Sequence, residues 1–361
     1  MPPAFRMTHH PDTRLPQRVA LGVLLRSFPP VRVDQVLDTA GRREQRQRLL
    51  PARLMVYFTL GMWIFKSLPY ELILTEILRD APGLAPPVST EEPASAAAIG
   101  RARRRLGVEP LRLLFDEAAG PSPAAPERWR GLRPVRLCRV EVGVPATPAN
   151  LQGFGVVGRW RPAVAPPPVR PARMPLCAQL SLLIEDGTER IVAAEVGDSP
   201  DPPLDLLLAG ALPPETLLVM DARPLAARLW AAAERRGVDQ LWQLEEQVQP
   251  AHASRLPDGS LLAKLPADDG TELLARVVSR GGGRPVRLAT SLLDHRAAPA
   301  VDLLAVHDTA SAAGGGFDGV ETYGNGGRLE LRSKDPEMVR QELYAMLCVQ
   351  HAIGDLVGHA Q

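Results

Sequence analysis

The sequence contains few lysines, cysteines and aromatic residues. Only three of its 42 basic residues are lysines, aromatic residues make up 4% of the 361 positions, and three cysteines stand far apart. So few cysteines imply no disulfide framework. The longest strongly apolar stretch, LMVYFTLGMWIF, is too short to span a bilayer, and the N-terminal MPPAFRMTHHPDTRL lacks the apolar centre of a signal peptide. We therefore predict a cytoplasmic protein without a membrane partner.

The chain also has almost no net charge, but its charge is unevenly distributed. The formal net charge is +1, yet residues 1–120 hold 17 basic and 12 acidic residues, a net of +5, and the remainder has a net of −4. A polyanion is therefore expected to meet the N-terminal third. The excess of arginine over lysine is weak evidence for function, because a GC-rich genome produces the same bias.

The hydrophobic content of 45% indicates a globular protein with a sizeable core. Residues 1–17 form an expected flexible tail, and residues 18–120 carry helical patterns. The segment 121–131 is a linker by composition. Residues 132–361 alternate strand-like and helix-like segments, which predicts an α/β domain with a mainly parallel or mixed sheet. Short strand patterns with glycine-rich turns predict a β-rich insert at about 240–292.

Three segments carry strong helical signals. LPARLMVYFTLGMWIF is apolar on nearly all sides, which predicts a central buried helix. SAAAIGRARRRLG predicts a helix that begins near Ser95 and ends at Gly107. The C-terminal SKDPEMVRQELYAMLCVQHAIGDLVGHA predicts a long amphipathic helix with Pro336 and Glu337 in its first turn.

One carboxylate follows a strand that is expected to be buried on both faces. The run ETLLVMDAR, residues 215–223, is apolar up to Asp221 and is bounded by prolines. A strand that ends in Asp commonly directs it to a site at the carboxyl edge of the sheet. Metal chemistry at such a site requires partner ligands elsewhere in the chain.

The sequence resembles bacterial transposases of the insertion sequence 4 family over nearly its whole length. The resemblance is carried, in order, by FPPVRVDQVLDTAGRREQRQRLLPARLMVYFTLGMWIFKSLPYE, WRGLRPVRL, VPATPANLQGFG, TSLLDHRAAPAVDLLAV and GGRLELRSKDPEMVRQELYAMLCVQHAI. It implies a ribonuclease H-like catalytic core preceded by the family's all-helical N-terminal domain. In the family, three carboxylates hold two divalent ions, Mg²⁺ or Mn²⁺, for strand cleavage and transfer. It also implies DNA as partner and makes a dimer plausible.

The positions that correspond to the family's catalytic acids depart from its pattern. Asp221 falls on the second acid, whereas Cys138 stands at the first and Gly314 at the third. In the helical signature that contains the third acid, Tyr, Arg and Lys are replaced by His307, Ala310 and Glu321. Two further aspartates of the family, near the first acid, correspond to Gly143 and Ala146, and two basic residues after the second acid correspond to Gln243 and Glu245.

Glu141 is a conceivable substitute for the first acid. It lies three residues after Cys138 and therefore points to the opposite face in a regular strand. It would replace the missing acid only if a bulge re-aimed it.

These substitutions predict a transposase-derived protein that lacks two-metal catalysis, with no cofactor expected. The alternative hypothesis is an enzyme repurposed on a non-DNA substrate around Cys138, Asp221 and His307, residue types that form nucleophilic triads or bind zinc. The simpler interpretation makes Cys138 a buried filler and His307 a helix-surface residue. A decaying gene copy is the third possibility.

DNA binding is the activity that the basic N-terminal third favours. Two arginine runs, GRREQRQR and RARRR, offer contacts to backbone phosphates, although a run of charge is also typical of a solvated helix face. The predicted contacts are Arg42, Arg43, Arg46, Arg48, Arg101, Arg103, Arg104 and Arg105.

Overall fold

The computed structural model describes residues 15–358 apart from 45, 47, 85–93, 121–127, 155–175, 198–204, 208–209, 221–223, 283–284 and 314–330. Its described part divides into two compact units. The first unit comprises Met1–Ala118 together with Arg332–Gln361, and the second comprises Ala119–Leu331. Within the described ranges, no helix is both long and apolar enough to cross a membrane.

The first unit is helical, as the periodicity of its sequence predicts. Its elements are α1 (Leu15–Ser27), α2 (Pro30–Thr39), α3 (Ala52–Ile64), α4 (Tyr70–Asp80), a 3₁₀ turn (Pro82–Leu84), α5 (Ala96–Leu106) and α6 (Glu109–Ala118). Helix α3 is the buried centre expected from its apolar sequence, because Ala52 and the nine consecutive residues from Leu54 to Met62 are all buried. Its neighbours cover it on several sides, so it needs no polar face.

The C-terminal helix differs from the sequence expectation, which placed it in one domain with residues 132–331. The final helix, Pro336–Gly358, packs against α1, α3, α5 and α6 and belongs to the first unit. The side chain of Trp63 donates to the backbone oxygen of Glu342 at 2.7 Å. Glu342 in turn accepts from the backbone and hydroxyl of Ser333, at 3.1 and 2.6 Å. The contact of Trp63 with Glu342 joins segments that are far apart in sequence, which periodicity alone does not reveal.

The second unit is built on one mixed sheet. Its described strands are β1 (Arg133–Gly143), β2 (Cys177–Glu185), β3 (Arg190–Val196), β4 (Thr216–Met220), β5 (Asp239–Gln243), β6 (Ala251–Arg255), β7 (Leu261–Pro266), β8 (Glu272–Arg280) and β9 (Val286–Thr290). They lie in the order β3-β2-β1-β4-β5-β9-β8-β7-β6. β1, β4 and β5 are mutually parallel, and the other pairings are antiparallel. The expected β-rich insert is therefore an extension of the same sheet.

Described helices cover both faces of this sheet. The further helices of the unit are α7 (Pro148–Phe154), α8 (Ala227–Arg235) and α9 (Ala300–Ala313). Alternate residues of β4 enter opposite cores: Leu218 and Met220 join the core that contains α8, and Leu217 and Val219 join the core that contains α9. This division explains why the strand is apolar throughout.

A buried arginine in the extension anchors the start of α9. Arg276 on β8 is fully buried and donates to Asp258 at 2.6 Å, to Ser260 at 2.8 Å and to the backbone oxygen of Ala298 at 2.6 Å. Asp258 also accepts from the backbone nitrogen of Ala300 at 3.1 Å. The turn between β6 and β7 therefore fixes the position at which α9 begins.

Candidate functional sites

Helix α5 divides its arginines between two faces. Ser95 accepts from the backbone of Ala98 at 3.4 Å and begins the helix, and Gly107, at a φ of +73°, ends it. Arg101, Arg104 and Arg105 follow the spacing i, i+3, i+4, which places them on one exposed face.

Arg103 lies on the opposite face and is an internal residue. Its side chain is 0% exposed. The guanidinium donates to the side chains of Gln341 at 2.8 Å, Ser333 at 3.2 Å and Tyr70 at 3.3 Å. The sequence assigned Arg103 to the phosphate-binding set, and this burial corrects that assignment. The signal was present in the sequence, because residue 103 shares the helical spacing of the buried residues Ile99, Ala102 and Leu106.

The loop after α2 lies against the exposed face of α5. Arg105 donates to the backbone oxygen of Leu50 at 2.7 Å and to Glu44 at 3.3 Å, and Arg42 reaches the backbone oxygen of Arg105 at 3.5 Å. Glu44 also accepts from the backbone nitrogen of Ala52 at 2.8 Å, at the beginning of α3. Two arginine runs that are more than fifty residues apart in sequence thus form one surface, which we call the arginine surface and define as Arg42, Arg43, Arg46, Arg48, Arg101, Arg104 and Arg105.

The cations of the arginine surface differ in their partners. Arg43 is 2.6 Å from Asp38 and 3.7 Å from Asp34, and Arg105 is held by Glu44. Arg46, Arg48, Arg101 and Arg104 are exposed and form no ion pair with any residue that the structure describes. The arginine surface contains two depressions. One has a volume of about 130 Å³ and is lined by residues 41–44 and by Ala102, Arg105 and Leu106 among others. The other has a volume of about 360 Å³ and is lined by Arg43, Glu44, Arg46 and Arg48.

In the second unit, Cys138 lies on the sheet face that α9 covers. Val135 and Leu137 belong to the opposite core, so alternation directs residue 138 towards the α9 side. The last described pair between β1 and β4 is Arg136 with Val219. Cys138 follows two residues after Arg136, and Asp221 follows two residues after Val219. Cys138 is half-buried, whereas Asp221 lies outside the described residues.

His307 is buried on α9 and does not lie on the helix surface as the simpler interpretation assumed. It is 6% exposed. Its Nε2 atom is 3.3 Å from the side-chain oxygen of Gln243 on β5 and 3.4 Å from the hydroxyl of Ser311. Burial is the largest effect on this imidazole and lowers its pKa, although the neighbouring Asp308 opposes that shift. A neutral ring is therefore favoured at neutral pH.

Glu141 could replace the missing first acid only through a bulge in β1, and the pairing of this strand contains no such bulge. β1 pairs with β2 in continuous antiparallel register from Val135 to Gly143. Gly314, at the third acid position, lies outside the described residues, as does Glu321. In the part of the chain that is described, no group of three or more His, Cys, Asp or Glu side chains is arranged to hold a metal ion.

Comparison with known proteins shows which class of protein the chain resembles. Residues 18–116 match the family described as insertion element 4 transposase N-terminal. The chain is 25% identical over 343 residues to the transposase InsG of insertion sequence element IS4 from Escherichia coli strain K12. The aligned region covers 90% of this chain and 74% of that protein. The chain is a transposase homologue. Both matches agree with the resemblance to insertion sequence 4 transposases that the sequence predicted.

Among solved structures, the chain is similar to a piggyBac transposase in a synaptic complex with hairpin DNA. The sequence identity is 10% and the TM-score is 0.37, with 98% of this chain and 67% of that chain covered. The resemblance to insertion sequence 4 transposases is supported by the two sequence matches.

Proposed function

We propose that this protein is a transposase-derived DNA-binding protein that no longer performs two-metal strand cleavage and transfer. The match of residues 18–116 to the N-terminal family and the 25% identity to the InsG transposase support its origin from a transposase. The observation that carries the DNA-binding part is the convergence of two separate arginine runs into the exposed arginine surface. Unpaired guanidinium groups on such a surface attract phosphates and release counterions from DNA when they bind.

The loss of catalysis is inferred from the residues at two of the three acid positions. Cys138 and Gly314 offer no carboxylate oxygen, and Mg²⁺ requires oxygen ligands in a near-octahedral shell. The residues present therefore do not fit a two-metal centre. We further propose that the second unit is a ribonuclease H-like core, a proposal supported by its mixed sheet with parallel β1, β4 and β5 at the centre and helices on both faces.

DNA binding is tested with the full-length protein and duplex DNA over a series of salt concentrations. Four to six neutralised phosphates would give a log–log salt slope of about −4 to −5. Affinity that is absent, or that does not change with salt, would contradict DNA binding through an arginine surface.

Catalysis is tested separately with supercoiled DNA or with DNA that contains the ends of the element, in Mg²⁺ or Mn²⁺. We expect the wild-type protein to cut and join no more DNA than Asp221→Ala. Metal-dependent nicking by the wild-type protein that Asp221→Ala abolishes would show that a metal centre survives.

A repurposed enzyme around Cys138, Asp221 and His307 is the second candidate, and the partial exposure of Cys138 favours it. A nucleophilic thiolate needs an imidazole within hydrogen-bond reach. The described partners of the His307 Nε2 atom are Gln243 and Ser311. The test is thiol labelling of Cys138 as a function of pH, with Cys138→Ser as control. Labelling that titrates well below the ordinary thiol pKa of about 8.5 would favour the enzyme; we expect no such shift.

A further inference from the structure

We propose that the arginine surface binds the phosphate backbone of duplex DNA through Arg46, Arg48, Arg101 and Arg104, whereas Arg105 acts as a positioning residue and Arg43 stays paired with acidic residues. This inference rests on the proposed DNA-binding function. It assigns different roles to residues of the same type, and these roles are distinguishable by experiment.

The first argument comes from the ion pairs. A guanidinium that already contacts a carboxylate must lose that contact, or share it, to bind a phosphate. Arg43 lies between Asp34 and Asp38, at 3.7 and 2.6 Å, and Arg105 contacts Glu44 at 3.3 Å. The four proposed contact residues are exposed and have no ion-pair partner among the described residues, so they gain most from a phosphate.

The second argument comes from the contacts of Arg105. Its guanidinium donates to the backbone oxygen of Leu50, and its own backbone oxygen accepts from Arg42. These bonds hold the loop on α5. Glu44 holds the other side of the loop to the start of α3 through the nitrogen of Ala52. Arg105 thereby sets where Arg46 and Arg48 stand relative to Arg101 and Arg104.

The third argument concerns the kind of nucleic acid. Proteins that bind single strands without sequence preference stack bases on aromatic side chains. The residues that line the two depressions include no aromatic side chain. Arginines that alternate between a helix face and an adjoining loop are suited to the regularly spaced phosphates of a duplex. We therefore expect duplex DNA to bind more tightly than a single strand, with little dependence on base sequence.

The experiment compares double variants of the full chain. Arg101→Gln with Arg104→Gln, and Arg46→Gln with Arg48→Gln, each remove two proposed contacts. Each pair should reduce the steepness of the log–log salt slope by about 1.8 and weaken binding roughly 30-fold near 0.15 M salt. The charge-matched control is Arg255→Gln with Arg296→Gln, two exposed arginines of the second unit, and it should leave both quantities nearly unchanged.

Arg43 and Arg105 are tested by the same two measurements. Arg43→Gln should change neither affinity nor slope by more than the control does. Arg105→Gln should weaken binding with an unchanged slope, and it should accelerate tryptic cleavage within residues 42–48. If Arg105→Gln reduced the salt slope as much as the substitution of one contact residue does, the positioning role of Arg105 would be overturned.

The outcomes separate this inference from the proposed function. If the wild-type protein binds DNA with a steep salt slope but both contact variants match the control, the site is wrong and the DNA-binding function stands. If the wild-type protein does not bind DNA, the DNA-binding function is contradicted, and this inference with it. Preferential binding of single strands by the wild-type protein would overturn the duplex assignment.

Discussion

Arg103 and Arg104 are adjacent residues of one helix, yet they have opposite environments. Arg103 is fully buried, and its guanidinium is satisfied by Gln341, Ser333, Tyr70 and a backbone oxygen. Arg104 is exposed and pairs with no described residue. A helix turns by 100° per residue, so one step along the chain separates a structural arginine from one that is available to a ligand. A run of like charges in a sequence is therefore not equivalent to a charged surface.

The second unit repeats the contrast. Arg276 is buried and joins Asp258 and Ser260 to the beginning of α9, whereas Arg255, on the edge strand β6, is exposed. In both units an internal arginine connects segments that are distant in sequence. If burial, and not residue type, decides what each arginine contributes, buried and exposed arginines should respond differently to substitution.

The largest effect is expected from Arg276→Leu. The change leaves Asp258 as a carboxylate without its cation and also removes the donor from Ser260 and two backbone oxygens. Breaking a buried pair in this way costs about 3–5 kcal/mol of unfolding free energy. Chemical denaturation measures it, with Arg255→Leu as the control, for which we expect a change within about 0.5 kcal/mol. Equal effects of the two substitutions would remove the distinction between them.

The next effect is expected from Arg103→Ala. This change leaves Gln341 and Ser333 without a buried donor and creates a cavity between α5 and the C-terminal helix. We expect a loss of about 3 kcal/mol, because unsatisfied buried polar groups and a cavity each contribute. The matched change Arg104→Ala should alter the unfolding free energy by no more than about 0.5 kcal/mol. If Arg104→Ala proved the more destabilising of the two, the assigned faces of α5 would be wrong.

A smaller effect, with opposite signs in two assays, is expected from Glu44→Gln. This carboxylate accepts from the first nitrogen of α3 and holds Arg105. Loss of its charge at a helix N-terminus should cost about 1 kcal/mol of stability. The same change removes a negative charge from the arginine surface and should tighten DNA binding. Glu71→Gln is a control, because Glu71 accepts a hydrogen bond from the backbone nitrogen of Ala96 at the beginning of α5 in a comparable way. If Glu44→Gln bound DNA more weakly than this control, the proposed role of the arginine surface would be contradicted.

The smallest effect concerns His307 and pH. Burial lowers the pKa of His307, so the unfolded chain binds the proton at a higher pH than the folded protein does. The contribution of the neutral imidazole to the unfolding free energy is therefore complete above the ordinary histidine pKa of about 6.5. It is lost as the pH falls towards the lower pKa of the folded state. The wild-type protein should have a larger unfolding free energy than His307→Asn, and this advantage should be smaller at pH 5 than at pH 7. An advantage that grew at pH 5 would contradict a lowered pKa.

Local patterns predicted many elements correctly. The apolar run that forms α3 and the Ser95 and Gly107 boundaries of α5 both follow from residue chemistry at short range. The buried His307 was not predicted, because a single histidine in a helix carries no sign of which face will be covered. The joining of the C-terminal helix to the first unit also depends on contacts between distant segments.

The sequence by itself determined the resemblance to insertion sequence 4 transposases, the helical N-terminal third, the α/β pattern of the remainder and the absence of carboxylates at positions 138 and 314. These properties follow from residue identity and from periodicity along the chain. Only the tertiary structure decided which arginines are internal, that two remote arginine runs share one surface, and that the β-rich segment extends the central sheet. Those outcomes depend on which side chains other segments bury or pair, because burial and ion pairing are set by neighbours in space and not by neighbours in sequence.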